Sequence, residues 1–319
     1  MKKNVCFFPG QGAQYPGMGR DLYEASAEVR ELFEAASDTT GRDIKDLIFN
    51  GSEEDLKNTS NTQVAITLVN ISVYTILKAM GLLVSDDAEP VYAGFSLGEL
   101  SAYYAAGVID LRTLFSITNM RGNLMAKAAA EAVETFGQLG MAAVIGKGFD
   151  EIEAIIKESG LKHVYPSNDN GPKQVVIAGV EESIKRLTEV LKEAGTRRVI
   201  PLRVGAPFHT PFLIPAAEEF KGLIKDFTFN DPQYTVYTNV DGGIVKTGRE
   251  AKANCSRQQI SPVRWTTAIT AIAEQEKSGE LNSCFESGPG KVLAGLWKGS
   301  GSSTPCKTVG TMEEINELC

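Results

Sequence analysis

The chain has 319 residues, enough for one large α/β domain or for a domain with an insertion. Its net charge of −8 and a sequence pI near 5.1 argue against a general nucleic-acid binder, because such proteins are normally basic. The five cysteines include no C-x-x-C pair and there are only two histidines, so the sequence predicts no metal, no cofactor and the reduced thiols of a cytoplasmic protein.

The first predicted strand, residues 4–8, runs into a glycine-rich loop, Pro9-Gly10-Gln11-Gly12. Loops at the carboxyl ends of strands are where open α/β sheets build their sites. The loop does not match a dinucleotide fingerprint, since Tyr15 stands where the third glycine belongs. The apolar run that precedes it is too short for the ~7–15-residue core of a signal peptide.

Helices are predicted next over residues 23–37, 52–57 and 64–80. The last is the most apolar helix candidate, but it contains Thr67, Asn70 and Lys78, which indicates a buried core helix and no membrane span. Alternation of such helices with strands favours a mostly parallel sheet with helices on both faces.

The most informative motif is G-x-S-x-G at residues 94–98, between a predicted strand over 90–93 and a predicted helix over 99–106. A strand that turns this sharply into a helix has no room for larger residues beside the serine. The turn would expose the Ser96 hydroxyl and direct the backbone N–H of Leu97 toward an oxyanion. The alternative is a glycine-rich turn that holds an inert serine.

A nucleophilic serine needs a base, and the two histidines are His163, in a predicted strand, and His209, in a loop stiffened by Pro207 and Pro211. His209 is favoured, because serine before histidine is the chain order of α/β-hydrolase sites. No aspartate stands out as a third member, but a backbone carbonyl can orient a histidine. The alternative is a packed loop histidine.

Arg121 lies on the apolar face of a helix predicted over residues 111–125 and capped by Asp110. Burying an unpaired guanidinium costs several kcal/mol, roughly. Arg121 therefore either pairs with an internal acid or awaits a substrate carboxylate, which its planar fork can bind through two parallel hydrogen bonds. The spacing does not decide between these alternatives.

Residues 137–204 have a rhythm of their own, with strands predicted over 139–145, 162–167, 174–178 and 197–203 and helices over 150–159 and 181–194. The order βαββαβ is typical of a ferredoxin-like unit. We therefore expect a small domain, residues 131–203, inserted into a large domain made of residues 1–130 and 204–319.

Several motifs in the chain match one known family. They are F-P-G-Q-G-A-Q at 8–14, G-F-S-L-G-E at 94–99, M-R-G at 120–122, N-D-N at 168–170 before Q-V-V-I-A-G at 174–179, F-H-T-P at 208–211, R-Q at 257–258 before S-P-V-R-W at 261–265, and E-S-G-P-G-K-V-L at 286–293. In this order they make the chain resemble the malonyl-CoA:acyl carrier protein transacylases over nearly its whole length. The resemblance implies an α/β-hydrolase-like large domain with a ferredoxin-like insertion.

The resemblance also implies a ping-pong reaction of fatty-acid synthesis, with malonyl-CoA, coenzyme A and acyl carrier protein as partners and neither nucleic acid nor a membrane. Ser96 would carry the malonyl ester and His209 would act as general base and then as acid. The remaining roles would be an oxyanion hole from the backbone N–H groups of Gln11 and Leu97, a carboxylate site at Arg121, orientation of the histidine by the carbonyl of Gln258, and a cleft wall at Asn168.

One position departs from the family pattern, since Phe95 precedes the serine where the family commonly has histidine. We expect an altered pocket wall with activity retained. The nearest alternative function is a discrete acyltransferase or acyl hydrolase that serves a polyketide pathway in trans. A plain serine esterase and an inactive carrier-binding module are further alternatives, but the first gives Arg121 no purpose and the second does not need Ser96 and His209.

Overall fold

A computed structural model describes residues 2–85, 87–202 and 206–318. The strands within these residues are β1 Lys2–Phe8, β2 Ala88–Gly94, β3 Leu139–Ile145, β4 Val164–Gly171, β5 Gln174–Val180, β6 Arg198–Leu202, β7 Thr235–Tyr237, β8 Leu281–Ser287 and β9 Cys306–Val309. The α-helices are α1 Arg20–Ala25, α2 Ala27–Thr40, α3 Ile44–Asn50, α4 Glu53–Lys57, α5 Thr59–Ala79, α6 Gly98–Ala105, α7 Leu111–Phe136, α8 Phe149–Ser159, α9 Glu181–Glu193, α10 Ile214–Leu223, α11 Gly248–Arg257, α12 Trp265–Lys277, α13 Val292–Trp297 and α14 Met312–Asn316.

The larger sheet has the strand order β7-β2-β1-β8-β9, and each neighbouring pair is parallel. This confirms the predicted α/β class with a mostly parallel sheet. Phe8 lies opposite Gly94, and Ala93 lies opposite Tyr237. The carboxyl ends of β1, β2 and β7 therefore meet at one edge, which brings the glycine-rich loop and the turn at residues 94–98 side by side.

The smaller sheet has the order β4-β5-β3-β6, and its neighbouring strands are antiparallel. Its elements follow one another along the chain in the predicted βαββαβ order. The helices α8 and α9 bury an apolar face against this sheet, with Ile152 and Leu187 packed in one core cluster with Val144 and Ile177. Residue 203, the predicted end of the last strand and of the small domain, lies outside the described residues.

Three predicted helices have clearly different bounds in the structure, and the one predicted over 64–80 spans Thr59–Ala79. Residues 23–37 do not form one helix, because Ser26 interrupts it and its Oγ caps α2 by accepting from the backbone N–H of Val29 at 3.2 Å. The helix predicted over 111–125 continues to Phe136, since residues 126–136 are rich in alanine and glutamate and contain no glycine before Gly137. The sequence-based domain boundary at residue 130 therefore falls inside a helix.

Helix α5 is long and apolar enough to cross a membrane, but 78% of its most apolar window is buried inside the protein. It is a core helix, as predicted. Its buried Asn70 side chain donates through the amide nitrogen to the carbonyl of Pro9 at 2.9 Å. Helix α5 thus supports the loop that follows β1.

Candidate active site

Ser96 sits at the centre of a tight turn (residues 94–98, hereafter the elbow) between β2 and α6. Its φ of 51° lies in the left-handed region, which is unusual for a residue other than glycine. A Cβ on Gly94 would lie 2.0 Å from the carbonyl oxygen of Gly98, and a Cβ on Gly98 would lie 2.0 Å from the carbonyl oxygen of Phe8. Both glycines are thus required by close backbone contacts, as the motif predicts.

The base predicted for Ser96 lies within hydrogen-bond distance of it. The Oγ of Ser96 is 2.7 Å from Nε2 of His209, and Nδ1 of His209 is 2.8 Å from the carbonyl oxygen of Gln258. A carbonyl can only accept, so Nδ1 carries the proton and Nε2 is free to accept from the serine. His163 lies elsewhere, exposed, with its ring 5.1 Å from that of Phe136.

His209 is 3% exposed, and its burial, together with the positive charge of Arg121, lowers its pKa to about 4. Burial disfavours the charged imidazolium, and a neighbouring cation disfavours it further. At neutral pH the imidazole is therefore uncharged and able to take a proton.

Arg121 is 1% exposed and is held by two neutral amides. Its Nη1 donates to Oε1 of Gln63 at 2.9 Å, and its Nη2 donates to Oε1 of Gln258 at 2.8 Å. Within residues 2–85, 87–202 and 206–318 it forms no ion pair. The structure therefore does not support the alternative in which Arg121 pairs with an internal acid. Burial lowers its pKa to about 10, which leaves it protonated at neutral pH.

Two glutamines connect these groups. The side chain of Gln258 accepts from Arg121 and donates through Nε2 to the carbonyl of Ser96 at 2.7 Å, while its own carbonyl accepts from His209. The side chain of Gln63 accepts from Arg121 and donates to Oε1 of Gln11 at 3.2 Å. Sequence reasoning missed Gln63, which lies one residue before the helix predicted over 64–80 but inside α5 in the structure.

The two predicted oxyanion donors come from adjacent loops. Gln11 follows β1, and Leu97 precedes the first residue of α6. The loops touch, because the backbone N–H of Phe95 donates to the carbonyl of Phe8 at 2.9 Å. Among the described backbone groups, neither the N–H of Gln11 nor that of Leu97 donates to another backbone carbonyl.

Asn168 and Phe95 have side-chain contacts with residues other than Ser96, His209 and Arg121. Asn168 is buried on β4, where its Oδ1 accepts from the hydroxyl of Ser167 at 2.8 Å. In the part of the chain that the structure describes, it has no hydrogen bond to Ser96, Arg121 or His209. The Phe95 ring packs edge-on against Trp265, with the ring centroids 5.5 Å apart.

Comparison with known proteins agrees with this geometry. Residues 5–287 match the acyl transferase domain family. The chain is 37% identical over 299 residues to the malonyl CoA-acyl carrier protein transacylase of Haemophilus influenzae, covering 93% of this chain and 92% of the relative.

Two solved structures have closely similar folds. An acyl carrier protein S-malonyltransferase from Vibrio cholerae has a TM-score of 0.89 and 35% identity, with all of both chains covered. A malonyl-transacylase solved in complex with its type II polyketide acyl-carrier protein has a TM-score of 0.88 and 33% identity, covering 99% of this chain and 98% of that one. The chain belongs to the acyl transferase domain family and, within it, to the malonyl-CoA:acyl carrier protein transacylases.

Proposed function

We propose that the protein transfers the malonyl group of malonyl-CoA to the phosphopantetheine thiol of an acyl carrier protein through an ester on Ser96. The observation that carries this proposal is the single network of Ser96, His209, Gln258 and Arg121. It joins a serine with a neutral base to a buried cation that has no acidic partner among the described residues. That combination suits an acyl group that ends in a carboxylate.

In the first half-reaction, Ser96 Oγ attacks the thioester carbonyl while His209 Nε2 takes its proton. The developing oxyanion accepts hydrogen bonds from the backbone N–H groups of Gln11 and Leu97. The C–S bond then breaks, and the coenzyme A sulfur leaves with the proton from His209. The malonyl ester on Ser96 remains.

In the second half-reaction, the carrier thiol gives its proton to His209 and attacks the ester carbonyl. The C–O bond to Ser96 breaks, and the serine oxygen recovers the proton. The carbonyl of Gln258 keeps the imidazole oriented in both halves and stabilises its transient positive charge, without an acidic third member.

Arg121 selects the acyl group in this scheme. Its two terminal nitrogens already donate to amide oxygens, which are neutral acceptors. A malonyl carboxylate would replace these acceptors, or bind beside them, and would offer charged oxygens to the guanidinium. The held carboxylate fixes the distance from the substrate's charged end to the carbonyl that Ser96 attacks.

The finer architecture is part of the proposal. We assign the large parallel sheet to an α/β-hydrolase-like domain and the small antiparallel sheet to a ferredoxin-like domain, which the order β4-β5-β3-β6 supports. The end of α7 favours a first domain boundary at Gly137. The segment after Gln258 meets the small sheet, since the N–H of Asp169 donates to the carbonyl of Val263 at 2.8 Å, and Asn168 would line a cleft there.

The relatives named as malonyl transacylases favour this reaction over a hydrolase of a polyketide pathway, and we place the protein in the cytoplasm as an enzyme of fatty-acid synthesis. The test is to mix the protein with malonyl-CoA and follow coenzyme A release, with and without carrier protein. A transferase releases about one equivalent and then needs the carrier thiol to continue. Continuous release of coenzyme A at the same rate without carrier protein would mean that water accepts the acyl group, and this would identify a hydrolase.

A further inference from the structure

Asn239, in the loop after β7, holds the elbow through both ends of its side-chain amide. Its Nδ2 donates to the carbonyl of Gly94 at 2.7 Å, and its Oδ1 accepts from the backbone N–H of Ser96 at 2.6 Å. Asn239 is only 2% exposed. The bond to Gly94 is therefore buried, and the bond from Ser96 is partly buried.

These two bonds reproduce the pattern of a parallel β-ladder. In such a ladder, a residue on one strand bonds to the carbonyl and the N–H that flank its partner on the next strand. Strand β7 ends at Tyr237, opposite Ala93. The amide of Asn239 bonds to the two residues that flank Phe95, so it continues the ladder one step beyond the end of β7.

Glu99, in the first turn of α6, fixes the position of Asn239. Its Oε2 accepts from the backbone N–H of Asn239 at 2.5 Å, and its Oε1 accepts from the hydroxyls of Tyr103 at 2.7 Å and Thr238 at 3.3 Å. Glu99 is fully buried and has no ion pair among the described residues. A carboxylate retained there without a cation is costly unless donors such as these surround it.

The contacts form a closed ring from the elbow through α6 and Glu99 to the β7 loop and back to the elbow through Asn239. We propose that Asn239 is a positioning residue, supported by Glu99, that holds Ser96 in its strained conformation. A non-glycine residue at a φ of 51° is strained and persists only where its surroundings enforce it. Without Asn239, the serine can relax away from His209, and the N–H of Leu97 turns with it.

The test is the rate at which Ser96 reacts with a fluorophosphonate, a neutral probe that has neither a carboxylate nor a carrier protein. The serine oxygen attacks phosphorus, fluoride leaves, and His209 takes the proton. We expect N239A to react about 10- to 100-fold more slowly than the wild type, since small displacements of a nucleophile have effects of this size. The kcat of malonyl transfer should fall in parallel, while KM for malonyl-CoA changes by less than about twofold because Arg121 is untouched.

Asn4 provides the matched control. It is equally buried, at 3% exposed, and its Nδ2 donates to the carbonyl of Leu83 at 3.1 Å, but it lies near the opposite end of β1 from the elbow. N4A should lose stability without losing serine reactivity. Equal probe rates for N239A and N4A, at equal folded fractions, would overturn the proposal.

Three further variants keep the test decisive if N239A does not fold. N239D retains an acceptor for the Ser96 N–H and, once its carboxyl is ionised, loses the donor to Gly94. A wild-type probe rate in N239D at every pH from 6 to 9 would also overturn the proposal. E99Q should keep more probe reactivity than E99A, since a glutamine can accept from Asn239 and donate to two hydroxyls that rotate. This inference rests on the proposed role of Ser96 alone. A wild-type protein that reacts with the probe but not with malonyl-CoA would refute malonyl transfer and leave Asn239 testable.

Discussion

Replacing Arg121 with alanine is expected to reduce kcat/KM for malonyl-CoA by about two orders of magnitude, which corresponds to about 3 kcal/mol. The malonyl carboxylate would enter a buried pocket and find only amides there. Acetyl-CoA has no carboxylate, so its slow transfer should change little. The measurement is kcat/KM for each of the two substrates, and in R121A these two values should be close to one another.

Arg42 offers a matched control for this ratio. It too donates to neutral amide oxygens, those of Asn61 at 2.8 Å and Asn119 at 3.1 Å, but it has no hydrogen bond to the Ser96 network. R42A should therefore preserve the preference for malonyl-CoA. Equal losses for malonyl-CoA and acetyl-CoA in R121A would show that Arg121 supports the fold and does not read the substrate.

Replacing His209 with alanine is expected to slow acylation by about a thousandfold, because the serine loses the base to which it is hydrogen-bonded. Single-turnover release of coenzyme A measures this step directly. H163A is the control, since the exposed His163 should be dispensable. A comparable loss in H163A, or a near-normal rate in H209A, would assign the base elsewhere.

The pH dependence of acylation tests the same base without a mutation. Burial and Arg121 lower the pKa of His209 to about 4, so the imidazole stays neutral well below the ordinary histidine value of about 6.5. We expect kcat/KM to stay nearly constant from pH 8 to about pH 5 and to fall at lower pH as the base is protonated. A half-maximal rate near pH 6.5 would contradict this assignment.

The sequence predicted the elements with strong local signals well. The elbow glycines are required by backbone contacts at 2.0 Å, a steric demand that the motif records directly. The alternation of strands and amphipathic helices over residues 137–204 likewise predicted the order of elements along the chain in the small domain. The predicted end of α7 at residue 125 was wrong. Residues 126–136 are rich in alanine and glutamate, which favour a helix without the apolar period that would have shown that the helix continues.

The groups that support the site were much harder to predict, because they act through long-range contacts. Asn239 reaches Ser96 across 143 positions, and Gln63 reaches Arg121 across 58. Neither stands in a local pattern that distinguishes it from other buried amides. The sequence left the partner of Arg121 undecided for the same reason. Spacing along one helix does not reveal which residues of other elements face Arg121.

The most direct test of the central claim is the intact mass of the protein after brief exposure to malonyl-CoA, followed by peptide mapping. The proposed mechanism predicts one malonyl group, carried by the peptide that contains Ser96 and lost when carrier protein is added. S96A should gain no mass. S72A, which removes a hydroxyl that donates to the carbonyl of Leu68 within α5, should be acylated normally. A malonyl adduct that persists in S96A, or wild-type transfer with no adduct at any time, would contradict the account.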